Sequence, residues 1–142
     1  HFGLPPVTRE EIFAAVGGGF HDALRQTLGP SHAHRLAEAI PVYREYWDRT
    51  MLDDVVLLPG ARELLAALTA TGRRCAVFTN KHGPSARAIC DHLGLAPSLA
   101  AVVGAFDTPW LKPAPEFTAH ILATTGAAAA RTVLVGDSPW DV

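Results

Sequence analysis

The stretch Cys75-Ala76-Val77-Phe78-Thr79-Asn80-Lys81 reads as an apolar strand that ends abruptly in polar side chains. A short, nearly continuous apolar run fits a parallel strand buried on both faces; a strand with one wet face would alternate instead. Downstream, Pro84 opens a helix that Gly94 closes, residues 100–103 form a weaker apolar run, and Pro115 opens a helix that Gly126 closes. Thr132-Val133-Leu134-Val135 then reads as a third strand. Upstream, Pro59-Gly60 starts a helix running to Thr71, with Gly72 as its closing residue. Strand, helix, strand, helix, strand predicts right-handed crossovers and a Rossmann-like parallel sheet, so the fold class is α/β.

Before Leu52-Asp53-Asp54 the pattern is helical only. Thr8-Arg9-Glu10-Glu11 spells a capping box, with Thr8 at the N-cap, Glu11 three residues on, and Val7 and Ile12 placed as a hydrophobic staple. Gly17-Gly18-Gly19 ends that helix, and a second one spans 20–28 before Gly29-Pro30. Ser31 is read as the cap of a third helix that Pro41 breaks or kinks, with another helical stretch over 42–51. Tyr43, Tyr46 and Trp47 share one face of that stretch and are read as a packing stripe. The expected organisation is an α-helical unit over 1–53 followed by an α/β unit over 54–142, with a hinge near 53–58.

The chain has 142 residues, 49% of them hydrophobic and 18% charged, with a formal net charge of -2. This excludes a disordered chain, and the scattered Lys and Arg argue against a nucleic-acid surface. No apolar run approaches the roughly 18 residues of a membrane span. His1-Phe2-Gly3-Leu4-Pro5-Pro6 lacks the pattern of a signal peptide, and two cysteines are too few for a disulfide scaffold. A cytoplasmic setting is the expectation, with no membrane or nucleic-acid partner.

In open α/β sheets, ligands bind beyond the carboxyl ends of the strands. The residues at those ends are Thr79-Asn80-Lys81 and Gly136-Asp137-Ser138-Pro139-Trp140-Asp141, with Lys112-Pro113-Ala114-Pro115-Glu116 on a loop between them. A hydroxyl, an ammonium and two carboxylates on one rim suit phosphoryl transfer assisted by a divalent metal. Mg²⁺ takes oxygen ligands and keeps several waters, so one or two carboxylates beside a phosphate suffice. Asp137 is the candidate ligand, and Asp141, four residues later, orients it or a metal-bound water. Lys112 supplies a point charge to phosphoryl oxygens, Thr79 a short donor, and Asn80 is a further substrate-binding candidate. Taken singly, each has a plainer reading as a turn, a helix start or an N-cap; their order along the chain carries the signal.

With these motifs in place, the chain resembles the haloacid-dehalogenase-like hydrolases, in the branch that includes phosphoglycolate phosphatase. Val77-Phe78-Thr79-Asn80-Lys81, Lys112-Pro113-Ala114-Pro115-Glu116 and Val135-Gly136-Asp137-Ser138-Pro139-Trp140-Asp141 match its second, third and fourth motifs. Leu58-Pro59-Gly60-Ala61-Arg62-Glu63-Leu64-Leu65 resembles the entry into its core. The helical first third is similar to its small cap, and Val16-Gly17-Gly18-Gly19 to the cap loop that faces the active site. The resemblance implies that Thr79 and Lys112 hold the transferring phosphoryl group, that Asp137 binds Mg²⁺ and that Asp141 supports the metal site. It implies a phosphatase for a small, phosphoglycolate-like phosphomonoester, working through an aspartyl-phosphate. A phosphomutase of the same superfamily, or a non-catalytic phosphate- or protein-binding relative, is the alternative.

The family's first motif, an apolar strand ending in Asp-x-Asp-Gly-Thr, does not occur in these residues, and Asp53-Asp54 lacks the Gly-Thr that would let it serve. The nucleophile is therefore expected upstream of His1, on a strand between those ending at Thr79 and Asp137. A further helix and strand are expected beyond Val142.

The remaining candidates have plain readings. The seven histidines lack metal-ligand spacing: His32 and His34 point apart on a helix, and His21, His82, His92 and His120 fall on separate elements. His82, next to Lys81, is read as an exposed loop residue with substrate contact as the sharper alternative. Cys75 and Cys90 are expected to be reduced structural residues. Trp110 and Trp140 either wall the site or anchor loops. Arg44 and Arg49 are candidates to meet a substrate carboxylate, beside the reading as solvated helix charges. Gly17-Gly18-Gly19 follows a helix and lacks a Lys-Ser/Thr ending, so it is no nucleotide-binding loop.

Overall fold

A computed structural model of the chain describes residues 3–141. The readings placed on His1, Phe2 and Val142 lie outside the described residues. The element order is α1 (Arg9–Ala15), α2 (Phe20–Leu28), a 3-10 segment (Pro30–Arg35), α3 (Leu36–Thr50), α4 (Ala61–Ala70), β1 (Cys75–His82), α5 (Gly83–His92), β2 (Leu99–Ala105) and α6 (Pro115–Thr125), with short 3-10 turns at Ala96–Ser98, Ala129–Arg131 and Pro139–Asp141.

Local chemistry accounts for the boundaries. The Thr8 hydroxyl accepts from the Glu11 N–H at 3.2 Å while the Glu11 carboxylate accepts from the Thr8 N–H at 2.8 Å, closing the capping box of α1. Proline stands in the first turn of both α5 and α6, where its lack of an N–H costs nothing. Gly126 ends α6 in the left-handed conformation.

Two readings of the helical part change. Ser31 lies inside a 3-10 segment and does not cap an α-helix. Pro41 neither ends nor divides α3, which runs through it from Leu36 to Thr50. Pro41 and Ala37 are both exposed, so the ring projects toward solvent and water can reach the carbonyl that loses its N–H partner.

The sheet is parallel and two-stranded, with Ala76 opposite Ala101, Val77 opposite Val102 and Phe78 opposite Val103. β1 runs on through Thr79, Asn80 and Lys81, which the sequence places just beyond the strand, with an irregular register between Phe78 and His82. Pairing resumes at His82 opposite Ala105 because the ends of the strands converge on Gly104. A methyl group there would stand 2.4 Å from the Lys81 carbonyl oxygen and 2.8 Å from Gly83 Cα, so only glycine fits. The core centres on Phe117 of α6, fully buried with its ring 4.6 Å from that of Phe78, and includes Val103, Ala105, Ala86 and Cys90.

The third strand, read at 132–135, does not form. The segment forms no ladder, and Val133 and Val135 are 84% and 87% exposed. Apolar residues confer strand propensity, but a strand exists only where a neighbour completes its hydrogen bonds, and among the described residues none lies beside this segment. Cover is thin elsewhere too. The accessible surface is 9544 Å², against about 7,100 Å² for a compact monomer of this mass.

Candidate active site

The carboxyl end of β1 holds two distant segments through one buried side chain. Asn80 is 5% exposed. Its Nδ2 donates to the Gly17 carbonyl at 3.0 Å and to the Lys112 carbonyl at 3.1 Å, while its Oδ1 accepts from the Lys112 N–H at 2.7 Å. Both donors of the amide and one acceptor position are thus satisfied by backbone.

That clamp places Lys112, which follows Leu111 and precedes a cis-proline, over the Phe78 ring, with Nζ 5.5 Å from the centroid. The same ammonium donates to Asp141 Oδ1 at 2.5 Å, and both side chains are nearly buried, 12% and 9% exposed. Asp141 Oδ2 accepts from the Ser138 N–H at 2.9 Å, folding the last turn back on itself. The Lys112 ammonium is the main cause that holds the Asp141 carboxyl below the usual range, with the Ser138 N–H second.

Thr79 uses its hydroxyl to accept from the Lys81 N–H at 3.1 Å, which leaves its O–H free to donate. Asp137 is exposed, and its carboxylate makes no ion pair or hydrogen bond among the described residues. The structure therefore joins Asn80, Lys112 and Asp141 directly, places Thr79 next in the strand, and leaves Asp137 on the open side of the same loop. Among the described residues no three His, Cys, Asp or Glu side chains form a ready metal cage. The donors on offer, Asp137 and Asp141, are oxygen ligands, and such a set fits a hard cation completed by water and a phosphate.

The triglycine turn closes over this rim. Gly17 has a φ of +118°, and a methyl group on it would stand 2.8 Å from Trp140 Cδ1 and 3.1 Å from Ser138 Oγ. Trp140 therefore anchors the glycine turn to the last loop. Trp110 has the other role: with Leu111, Phe106, Phe20 and His21 it walls a cleft of about 400 Å³.

The chain belongs to the haloacid dehalogenase-like hydrolases. The model of that family matches residues 1–142. A phosphoglycolate phosphatase of Rhodospirillum rubrum is 44% identical over 130 residues, covering 92% of this chain and 51% of that protein. One from Caulobacter vibrioides is 30% identical over 142 residues, covering 97% and 60%. The chain thus spans about half to two thirds of these relatives' length. A haloacid dehalogenase-like hydrolase of Streptococcus pneumoniae has the same fold, with a TM-score of 0.82 at 19% identity over 98% of this chain and 63% of that one.

Within the haloacid dehalogenase-like fold, several sequence readings shift. His82 is not an exposed loop residue: it ends β1, half-buried, with Nδ1 3.0 Å from Ser85 Oγ and its ring edge-on to Phe106 at 5.6 Å. Burial first, then the nearby Arg44 charge, push its imidazole below the ordinary histidine range. The rings of His32 and His34 lie 6.4 Å apart, closer than a helical spacing implies, because that segment is 3-10. The aromatic stripe of α3 does pack, Tyr43 stacking on Trp47 at 6.0 Å, but it also reaches β1. Trp47 Nε1 donates to Ser85 Oγ at 3.2 Å, and the Lys81 ammonium lies 4.7 Å over the Trp47 ring.

The sequence reading passed over Phe106 and Asp107. Phe106 has a φ of +69°, costly for a residue with a side chain, and is 58% exposed. Asp107 holds it there by accepting from the Gly104 N–H at 2.9 Å and from both Arg87 Nη atoms at 2.8 and 3.0 Å. Asp-Thr-Pro after a strand carried a turn signal, but nothing local announced the arginine partner 20 residues away.

Proposed function

We propose that this chain is the cap and part of the catalytic core of a Mg²⁺-dependent phosphatase that hydrolyses a small phosphomonoester resembling phosphoglycolate. In this reading residues 1–53 are the helical cap, residues 54–142 belong to the core, and the segment at 53–58 is a hinge. The observation that carries it is the nearly buried Lys112–Asp141 pair, with Lys112 held at the end of β1 by Asn80.

Lys112 and Thr79 are the proposed phosphoryl ligands. The ammonium offsets the negative charge that builds on the equatorial oxygens, and the free Thr79 O–H donates to one of them. Asp141 keeps Lys112 in place before substrate arrives, while Asp137 is the carboxylate open to a cation. Mg²⁺ bound there would neutralise charge on the phosphate and so permit approach of an anionic nucleophile. Asn80 is the residue that positions Lys112, in place of a direct substrate contact. In this reading an aspartate attacks phosphorus and displaces the alcohol, and the resulting aspartyl-phosphate is hydrolysed by water.

The test is a panel of phosphomonoesters offered to the full-length protein, with phosphate release followed with and without EDTA. Release from small esters, lost with EDTA and restored by Mg²⁺, is the expected result. Isomerised product without net release would replace the phosphatase with a mutase. Phosphate binding without turnover of any ester would leave a binding module.

A further inference from the structure

α3, β1 and α5 meet at one buried hydroxyl. Ser85, in the first turn of α5, is 3% exposed. Trp47 Nε1 of α3 lies 3.2 Å from its Oγ, and His82 Nδ1, at the end of β1, lies 3.0 Å from the same atom. An indole N–H can only donate, so Ser85 Oγ accepts from Trp47. The hydroxyl proton then needs an acceptor of its own, and among the described residues the one in reach is the lone pair of His82 Nδ1. This order of donors fixes His82 as the neutral imidazole with its proton on Nε2.

The relay joins α3 to the strand end that carries Thr79 and Asn80. Charges face His82 from every element around it. α3 contributes Arg44 and Asp48, α5 contributes Arg87, the turn after β2 contributes Asp107, and β1 has Lys81, whose ammonium lies 4.7 Å over the Trp47 ring. Arg44 stands 5.6 Å from the Phe20 centroid and 5.7 Å from that of Phe106, the ring that His82 meets edge-on. His21 of α2 meets Phe106 as well, at 5.8 Å. Asp107 is already matched by Arg87 at 2.8 Å. Burial first, then Arg44 and more weakly Arg87, oppose a proton on the imidazole and outweigh Asp48 and Asp107.

We propose that Ser85 is a pH-sensitive latch: with His82 neutral it holds α3 against the end of β1, and a proton arriving at His82 Nδ1 releases Trp47. Once protonated, Nδ1–H is a donor. Trp47 and His82 then both point hydrogens at Ser85 Oγ, and the hydroxyl proton loses its acceptor inside a buried site, which is unfavourable. Moving Trp47 away lets water reach that hydroxyl. With α3 docked, the imidazole is held below its ordinary value of about 6.5, and release restores that value. Docking is therefore intact above about pH 6.5 and weakens as pH falls, by up to about tenfold per unit. This inference goes beyond the phosphatase reading and does not rest on it.

NMR on the ¹⁵N-labelled full-length protein tests the latch without any assay of turnover. At about pH 8 the His82 ring is expected as the Nε2–H tautomer, with the Trp47 indole N–H protected from solvent exchange. Between about pH 7 and 5 that protection, corrected for the pH dependence of free indole, is expected to fall about tenfold or more. The amide of Val77, paired with Val102 within β1, keeps its own protection over the same range. His82→Asn sets an amide oxygen near the place of Nδ1 and cannot titrate, so Trp47 stays protected throughout. His21→Asn, which removes the other histidine on Phe106, leaves the wild-type pH dependence in place. An Nδ1–H tautomer at about pH 8, wild-type protection that is flat with pH, or an equal effect of the two substitutions overturns the inference. A parallel loss at Val77 overturns it too, because the change would then be global. Should His82→Asn fail to fold, the tautomer and the comparison with Val77 are read on the wild type and decide the matter.

Discussion

Lys112 Nζ lies 2.5 Å from Asp141 Oδ1, joining two loops that stand 29 residues apart in the chain. The pair is nearly buried, so each charge depends on the other, and this makes it the most testable feature of the site. Lys112→Ala in the full-length protein is expected to lower kcat for phosphate release about 100-fold or more, the usual loss when one donor to a transferring group is removed. A kcat within a few-fold of wild type would remove Lys112 from the phosphoryl site.

Asn80→Ala is expected to destabilise the fold by roughly 2–4 kcal/mol, because it deletes a buried amide and strands the backbone groups it satisfied. Urea unfolding measures this through the shift in midpoint. A loss under about 1 kcal/mol would mean that water replaces the amide and that the clamp is not structural.

Gly104→Ala sets a methyl group against backbone at Lys81 and Gly83, which cannot rotate away. Forced overpacking of this kind costs typically 1–3 kcal/mol, so the melting temperature should drop by several degrees. An alanine variant as stable as the wild type would show that the strand ends separate freely.

The Asp107 carboxyl is held below the usual range first by the hydrogen bonds from Arg87 and, more weakly, by the Gly104 N–H. A folded-state pKa below the unfolded value stabilises the protein above the unfolded pKa, and that stability is lost as pH falls through the folded one. The gap in melting temperature between wild type and Asp107→Asn should therefore be constant from neutral pH down to about 5 and shrink below about 4. A gap unchanged at low pH would assign the effect to shape alone.

Much of this was legible from local chemistry. The capping box at Thr8 and Glu11, the helix starts at Pro84 and Pro115 and the glycine stop at 126 are decided within a few residues, and the structure has them all. Pro41 and the segment at 132–135 failed for the opposite reason. Whether a helix tolerates a proline, or an apolar run becomes a strand, depends on what lies beside it, which the run itself does not encode.

The site divides along the same line. Thr79, Asn80, Lys112, Asp137 and Asp141 were picked out by type, order and position at the ends of apolar runs, together with the family they resemble. Their division of labour was not. That Asn80 faces Gly17 and Lys112, that Lys112 and Asp141 neutralise each other, and that Arg44 is held by Phe20 and Phe106 are facts of distance between segments far apart in the chain. The sequence by itself determined which chemical groups are available and the local elements that carry them, because caps, turns and apolar periods act over a few residues. Only the tertiary structure decided which groups meet, because burial and charge pairing act across space, between whatever side chains the packing brings together.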